Sequence, residues 1–274
     1  MRIGSNIGLQ ITAGAMEQTN RRINSVLEKL ATAKSINRAS DNAAGLAVSE
    51  GLLAQSRGFK MAMRNTQDGV SAFNIADGAA DTSTNILQRQ RELSIQAQNA
   101  TLSDSQRRML NTEFQQLSKE LARISEATNF NRQNVANGEG LTSGDANLQV
   151  GANAGDTITA PEVNLSAVAL GMDGVDISTA AGAGSALSSI DSAISSVSGQ
   201  RAVVGATTNR LNSTFNNLQT ANINTVAAKS IIRDQDIAMG IAEMIRNQVL
   251  GESARNAFSA FNRISSDHIL GLIK

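Results

Sequence analysis

The sequence predicts a mainly α-helical protein, a rod-like bundle of long heptad-patterned helices with a small β-hairpin insertion. Proline occurs once in 274 residues, at Pro161, and so few helix breakers favour long helices. Apolar residues recur at alternating steps of three and four, which is the spacing of helices that pack against each other. The exception is a segment at about 138–186, which is rich in Gly, Ala, Ser, Thr and Asp.

The N-terminal half contains three predicted helices. The first extends to about residue 34 and carries an apolar seam at steps of four and three: Leu9, Ala13, Met16, Asn20, Ile23, Leu27 and Leu30. The second covers about 42–99. The third begins after Leu102, where Ser103 and Gln106 have the spacing of a capping box, in which each side chain satisfies a free amide of the helix start.

The fourth predicted helix has the most regular seam. Its positions alternate steps of three and four throughout: Leu187, Ile190, Ile194, Val197, Arg201, Val204, Thr208, Leu211, Phe215, Leu218, Asn222 and Thr225. Polar seam residues such as Arg201 and Asn222 lower stability but fix register and partner number. These polar positions are either packing contacts of that kind or ordinary solvated positions.

The last predicted helix, at about 230–272, places apolar residues at helical spacing: Ile237, Ile241, Met244, Ile245, Val249, Phe258, Phe261 and Ile264. Both ends of the chain are heptad-patterned and need partners, so the simplest arrangement pairs the terminal helices as a coiled coil. Two paired helices cannot cover both sides of their seams, so we expect both termini to be largely disordered in the free monomer and to become helical on polymerisation.

The insertion is predicted to contain a β-hairpin. Short alternating runs at 148–150 and 157–159 flank the Gly/Asn/Asp-containing segment 151–156, which favours a turn. Residues 166–182 have no heptad spacing and little apolar weight. We therefore expect them to form an outward-facing loop that tolerates deletion.

Composition and motifs argue against several classes of function. Lys plus Arg and Asp plus Glu both number 24, and Trp and Tyr are absent, so neither the charge nor the stacking platforms of a nucleic-acid binder are present. No apolar run is long enough to span a membrane. His268 is the only histidine, and cysteine is absent. We expect no enzymatic activity, no cofactor and no metal, and we interpret Asp234 and Asp236 as helix-start residues.

Several blocks of the sequence resemble bacterial flagellins. They lie in both halves of the chain, at 35–49, 65–71, 87–97, 151–155, 201–206, 209–211, 232–236 and 269–274. The chain departs from the family pattern at a few positions. Ala33-Lys34 stands where the family usually has a serine–glycine pair, and Arg132 replaces the glycine that follows Phe130-Asn131. The long variable outer domain of many flagellins is missing, so the resemblance is to a minimal flagellin.

The resemblance implies an inner coiled-coil core formed by 1–38 and 230–274, with an outer rod domain at 39–229. It also implies type III export and an extracellular location in the flagellar filament. The implied partners are other copies of the chain, hook-associated and cap proteins, an export chaperone and a Toll-like receptor of a host. The residues that match the family's receptor contact are Arg89, Leu93 and Glu113.

The expected assembly seam consists of large apolar residues near the two ends of the chain: Leu27, Leu30, Ile241, Ile245, Phe258, Phe261 and Ile264. Three alternatives to a filament subunit stay open at this point. A hook–filament junction protein shares the terminal motifs, although it usually matches the block at 87–97 more weakly. A cytoplasmic signalling coiled coil would lack the hairpin insertion. A secreted enzyme would need a catalytic constellation that the sequence does not contain.

Overall fold

The computed structural model describes the backbone of residues 3–273 and the side chains of residues 7–263. Five α-helices account for most of the described chain, as the sequence predicts: α1 (Ile3–Thr32), α2 (Ala43–Gln98), α3 (Asp104–Ala127), α4 (Ala180–Arg233) and α5 (Ile237–Ile273). Helices α2 and α4 are the longest, with 56 and 54 residues. The side chains of Ile264 and of the ending motif 269–274 lie outside the described residues.

Two small antiparallel hairpins lie between α3 and α4. Strands β1 (Asn129–Phe130) and β2 (Gln133–Asn134) form the first, and a 3-10 turn at Gly140–Thr142 follows. Strands β3 (Asn147–Gln149) and β4 (Thr157–Thr159) form the second, with Leu148 opposite Ile158. The second hairpin confirms the prediction from sequence, whereas β1–β2 is too short to leave an alternating pattern.

The chain divides into two compact units. Unit 1 takes in the chain up to Ala54 and again from Asn224 onward, and unit 2 is Gln55–Ile223. Helices α2 and α4 contribute residues to both units. The boundaries predicted from the family, at 38/39 and 229/230, refer to layers of a filament and stay predictions.

The core of unit 2 follows the seam predicted for α4. Every position of that seam from Leu187 to Thr225 is buried or half-buried. Two of its polar positions have partners on α2: the Arg201 guanidinium donates to Asp77 and Asp81 at 2.9 Å each, and Asn222 Oδ1 accepts from the Ser56 hydroxyl at 2.7 Å. These contacts favour a packing role for Arg201 and Asn222, because each hydrogen bond holds α4 at one position along α2.

The second hairpin packs on α2 at two glycines. A Cβ atom at Gly69 would lie 2.9 Å from Cδ2 of Leu148, and one at Gly58 would lie 2.8 Å from Cβ of Ala152. Both distances are shorter than the van der Waals contact of two carbon atoms. At Gly58 the neighbouring atoms are the Cβ and backbone Cα of Ala152, which cannot rotate away, so glycine is needed there, whereas the Leu148 side chain at Gly69 can shift. The side-chain amide of Asn65 adds a hydrogen bond to the Gln149 carbonyl at 3.1 Å.

The expectation that 166–182 forms an outward-facing loop is wrong, while its tolerance of deletion stays a prediction that the buried residues argue against. Leu170, Met172 and Ile177 are buried in the hydrophobic core of unit 2. Helix α3 anchors the same segment: Asn111 Oδ1 accepts from the Ile177 amide at 3.1 Å, and the Gln115 side chain donates to the Val175 carbonyl at 2.8 Å. Isolated apolar residues without periodicity favour a loop in the sequence. In the structure they belong to an irregular segment that packs on the helices.

A buried arginine stabilises the connection between α2 and α3. The Arg107 guanidinium donates to the carbonyl oxygens of Ala97 at 2.8 Å and Asn99 at 3.0 Å, and it pairs with Asp104 at 2.9 Å. The bond to Ala97 satisfies a carbonyl in the last turn of α2, where carbonyls have no partner within the helix, and the bond to Asn99 holds the residue that follows α2. The capping box of Ser103 and Gln106 at the start of α3 is confirmed.

The turn of the first hairpin contains a residue in an unfavourable backbone conformation. Its two central residues, Asn131 and Arg132, have φ of 49° and 66°, as a type I′ turn requires. Asparagine tolerates positive φ, whereas arginine pays a steric cost that glycine avoids.

We expect Arg132→Gly to stabilise unit 2 by about 0.5–1 kcal/mol. Arg132→Ala is the matched control, since it removes the long side chain but keeps the Cβ atom that causes the strain. Thermal unfolding of the full chain measures both. Equal stabilities of the Gly and Ala variants would contradict the backbone explanation.

Candidate functional site

Helices α1 and α5 pack antiparallel in unit 1. A Cβ atom at Gly240, near the start of α5, would lie 2.8 Å from Cδ2 of Leu30, near the end of α1. A Cβ atom at Gly8 would lie 3.4 Å from Cε1 of Phe261, at the opposite ends of the two helices. The glycines at these two contacts allow α1 and α5 to approach each other closely.

The two inner faces follow a heptad pattern. On α1 the buried and half-buried positions that follow this pattern are Leu9, Thr12, Met16, Thr19, Ile23, Val26 and Leu30. On α5 they include Gly240, Met244, Asn247, Gly251, Ala254 and Phe258. The inner face of α5 is therefore poor in large apolar side chains, with two glycines, an alanine and an asparagine among these positions.

The seam of α1 differs in part from the prediction. Ala13, Asn20 and Leu27 are exposed, while Thr12, Thr19 and Val26 take their places against α5. A seam that alternates steps of four and three shares every second position with a seam that alternates steps of three and four. The sequence pattern alone therefore does not decide which of two adjacent residues faces the partner helix.

Several large apolar side chains on α5 remain partly exposed beside its contact with α1. Ile237, Ile241, Ile245 and Val249 recur at steps of four, which places them along one face of the helix. We call these four residues the outer stripe; their exposed fractions are 45%, 42%, 52% and 56%. On α1, Ile7, Ile11 and Leu27 are also exposed. Groups of aliphatic side chains left half in water are typical of surfaces that another protein covers.

The structure separates the residues of the expected assembly seam into two groups. Leu30 and Phe258 are half-buried in the α1–α5 pair. Leu27, Ile241, Ile245 and Phe261 are exposed, so they are accessible to another molecule. Ile264 falls outside the described side chains.

Unit 1 also contains a joint between the α1–α2 connection and the α4–α5 connection, which the sequence pattern does not predict. The Arg233 carbonyl, at the end of α4, accepts from the Ser35 amide at 2.7 Å, and the Gln235 amide donates to the Ala33 carbonyl at 3.1 Å. The Arg233 guanidinium donates to Glu50 at 2.6 Å. These bonds hold the α1–α2 connection against the α4–α5 connection.

Two aspartates shape the connections at this joint. Asp236 Oδ1 accepts from the Met239 amide at 3.0 Å, which confirms Asp236 as a helix-start residue, since α5 begins at Ile237. The same interpretation of Asp234 is wrong, because Asp234 directly follows the end of α4 and its amide donates to the Ser230 carbonyl. Asp41 accepts from the amides of Arg38 and Asn37 at 2.9 Å each, and these hydrogen bonds lower the pKa of its carboxyl.

The three residues that match the family's receptor contact lie in unit 2, and only two of them are at the surface. The Arg89 guanidinium donates to the Glu113 carboxylate at 2.8 Å and also pairs with Glu92 at 2.9 Å. Hydrogen bonding to Glu113, and then to Glu92, raises the pKa of Arg89. Leu93, by contrast, is 1% exposed and lies in the hydrophobic core.

Comparison with known proteins covers both ends of the chain. Residues 3–140 match the model of the bacterial flagellin N-terminal helical region, and residues 187–272 match the model of its C-terminal helical region. The chain belongs to the bacterial flagellin family.

Flagellins of known sequence and structure are similar over most of the chain. A flagellin of Halalkalibacterium halodurans is 41% identical over 239 residues, which are 86% of this chain and 87% of the relative. The flagellin of Bacillus subtilis is 34% identical over the whole of both chains. The crystal structure of Bacillus cereus flagellin matches with a TM-score of 0.51 and 31% identity, covering 61% of this chain and 94% of that one.

As a flagellin, the chain is a structural subunit of the extracellular flagellar filament. No finding favours the hook–filament junction protein or the cytoplasmic signalling coiled coil. In the described part of the chain, no helix combines the length and the apolar character needed to cross a bilayer.

Proposed function

We propose that this flagellin polymerises through the outer stripe of α5, which packs against the terminal helices of neighbouring copies. The observation that supports the proposal is that Ile237, Ile241, Ile245 and Val249 are each about half exposed in the single chain. Covering one such side chain completely contributes about 1.5–3 kcal/mol, so covering its exposed half contributes about 1 kcal/mol. Every copy in a helical assembly offers the same stripe, so these contributions add along the filament.

The partner most consistent with this surface is another copy of the chain. Helix α1 exposes Ile7 and Ile11 at a step of four, so a terminal helix of a second copy can supply an apolar face of matching spacing. A heterologous contact of this kind, repeated from copy to copy, builds an open helical filament.

Polymerisation of the purified chain tests this proposal. Monomer added to short filament seeds is expected to elongate them, as followed by sedimentation and electron microscopy. Helical reconstruction should then bury the outer stripe between subunits. A filament in which Ile241 and Ile245 remain in water would contradict the assignment of the surface, although the chain would still be a filament subunit.

Further roles follow from the proposed assembly. The chain acts as a structural protein without catalytic activity. It contacts hook-associated proteins where the filament begins and a cap protein where it grows. An export chaperone covers the C-terminal helix before secretion, since the outer stripe is exposed in a single chain.

We also propose that the ion pair of Arg89 and Glu113 contributes to a contact with a Toll-like receptor of a host. Both side chains are about half exposed, and Arg89 offers a planar guanidinium held in place by two carboxylates. Leu93 is buried, so its role there is to support α2 beneath the pair rather than to touch a receptor.

We expect Arg89→Ala to weaken receptor activation by monomer at least tenfold, which corresponds to about 1.4 kcal/mol of binding. Arg123→Ala is the matched control, because Arg123 is another exposed arginine on this unit, paired with Glu120. A reporter-cell dose–response measures both variants. Equal potency of the parent chain and Arg89→Ala would contradict the proposed contact.

A further inference from the structure

A buried amide interrupts the contact between α1 and α5. Asn247 is 5% exposed, and among the described residues no acceptor lies within hydrogen-bond distance of its Nδ2. One turn further along α5, a Cβ atom at Gly251 would lie 3.9 Å from Cδ1 of Ile23, so aliphatic groups of α1 lie close to this layer. A polar group that loses its water without gaining a partner destabilises the contact that buries it.

Two threonine hydroxyls on the inner face of α1 make hydrogen bonds within that helix. The Thr12 hydroxyl donates to the Gly8 carbonyl at 3.0 Å, and the Thr19 hydroxyl donates to the Ala15 carbonyl at 2.8 Å. These hydroxyls donate within α1, and none of the described acceptors makes a hydrogen bond with Asn247 Nδ2.

The other contacts between α1 and α5 do little to offset the free energy lost at the unpartnered amide of Asn247. Gly240 and Gly251 allow the helices to approach closely but bury no side chain of their own, and the residues of the outer stripe remain about half exposed. About half of the side-chain surface of the outer stripe therefore stays in water in the single chain and is available to another molecule.

We propose that Asn247 keeps the α1–α5 pair weak in the free chain, so that the terminal helices remain separable until neighbouring copies cover the outer stripe. The inference rests on the proposed assembly through that stripe. Asn247 is a positioning residue in this account: it sets the stability of the helix pair before assembly and touches no partner itself.

Hydrogen exchange on full-length monomer and on filaments tests the proposal with Asn247→Leu. Removing the unpartnered amide is expected to raise the protection of α1 and α5 against exchange in free monomer by about tenfold. The difference in protection between monomer and filament should then become smaller. Asn247→Ala, which adds no bulk, is expected to shift protection in the same direction by a smaller factor. Met244→Leu is the matched control on the same face and should change protection by less than about twofold.

The outcomes separate the inference from the assembly proposal. If both Asn247 variants polymerise and their free monomers exchange no more slowly than the parent, the inference is wrong while assembly stands. If the parent chain itself fails to elongate seeds, the assembly proposal fails. A monomer stabilised equally by Met244→Leu would also overturn the inference, since the effect would then not depend on the amide.

Discussion

Ile177→Ala is expected to destabilise unit 2 by about 2–5 kcal/mol, the range for removing a large aliphatic side chain from a packed core. Ile177 is completely buried, and its backbone amide is held by Asn111 at 3.1 Å. The triple variant with Leu170→Ala and Met172→Ala should lose about three times as much. That loss is comparable with the whole stability of a typical domain, so unit 2 should unfold.

Val168→Ala is the matched control for this prediction. Val168 lies in the same segment but is 76% exposed, so its truncation should change stability by less than about 0.5 kcal/mol. Chemical denaturation of the full chain measures the variants side by side. A stable triple variant would restore the interpretation of 166–182 as a dispensable loop.

The long helices could be predicted from the sequence because periodicity accumulates over many turns. In α4, twelve successive seam positions follow one register, and Leu211 at its centre is fully buried. The capping box of Ser103 and the turn of the β3–β4 hairpin were also predictable, since each depends on residues only a few positions apart. In such cases local chemistry and tertiary packing favour the same structure.

The segment at 160–178 could not be predicted in this way. Its buried residues, such as Val163, Leu165 and Ile177, occur at irregular intervals because the backbone follows the surface of the helices beneath it. Contacts such as the bond between Gln200 Nε2 and the Asn164 carbonyl, at 3.2 Å, link residues far apart in sequence. A single sequence contains no local signal for them.

For the proposed assembly surface, the residue types were predictable from the sequence but the face of α5 that they occupy was not. The sequence identifies Ile241 and Ile245 as large apolar residues on a heptad-patterned helix. It does not decide whether they pack against α1 or lie on the exposed face of α5. Only the structure puts Gly240 and Gly251 toward α1 and leaves the larger side chains outside. The family resemblance likewise indicated Arg89 and Glu113, but it gave no sign that Leu93 is buried.

Ile245→Glu is expected to abolish polymerisation while leaving the monomer folded. Ile245 is 52% exposed in the single chain, so the substitution should cost little stability there. In a filament the variant would lose about 1 kcal/mol of apolar burial. It would also bury a carboxylate without a partner, which costs several kcal/mol. Together these terms raise the critical concentration by at least about a hundredfold, since each 1.4 kcal/mol corresponds to a factor of ten.

Gln248→Glu is the matched control, because it adds the same charge to an exposed polar position of α5 without removing an aliphatic group. Seeded elongation at several monomer concentrations gives the critical concentration of each variant, and circular dichroism of the monomers checks that both are folded. If the Gln248 and Ile245 variants were equally impaired, added charge on α5 would be the cause. If neither were impaired, the filament would assemble through another surface. Loss of elongation confined to Ile245→Glu identifies burial of the outer stripe as the step that drives assembly.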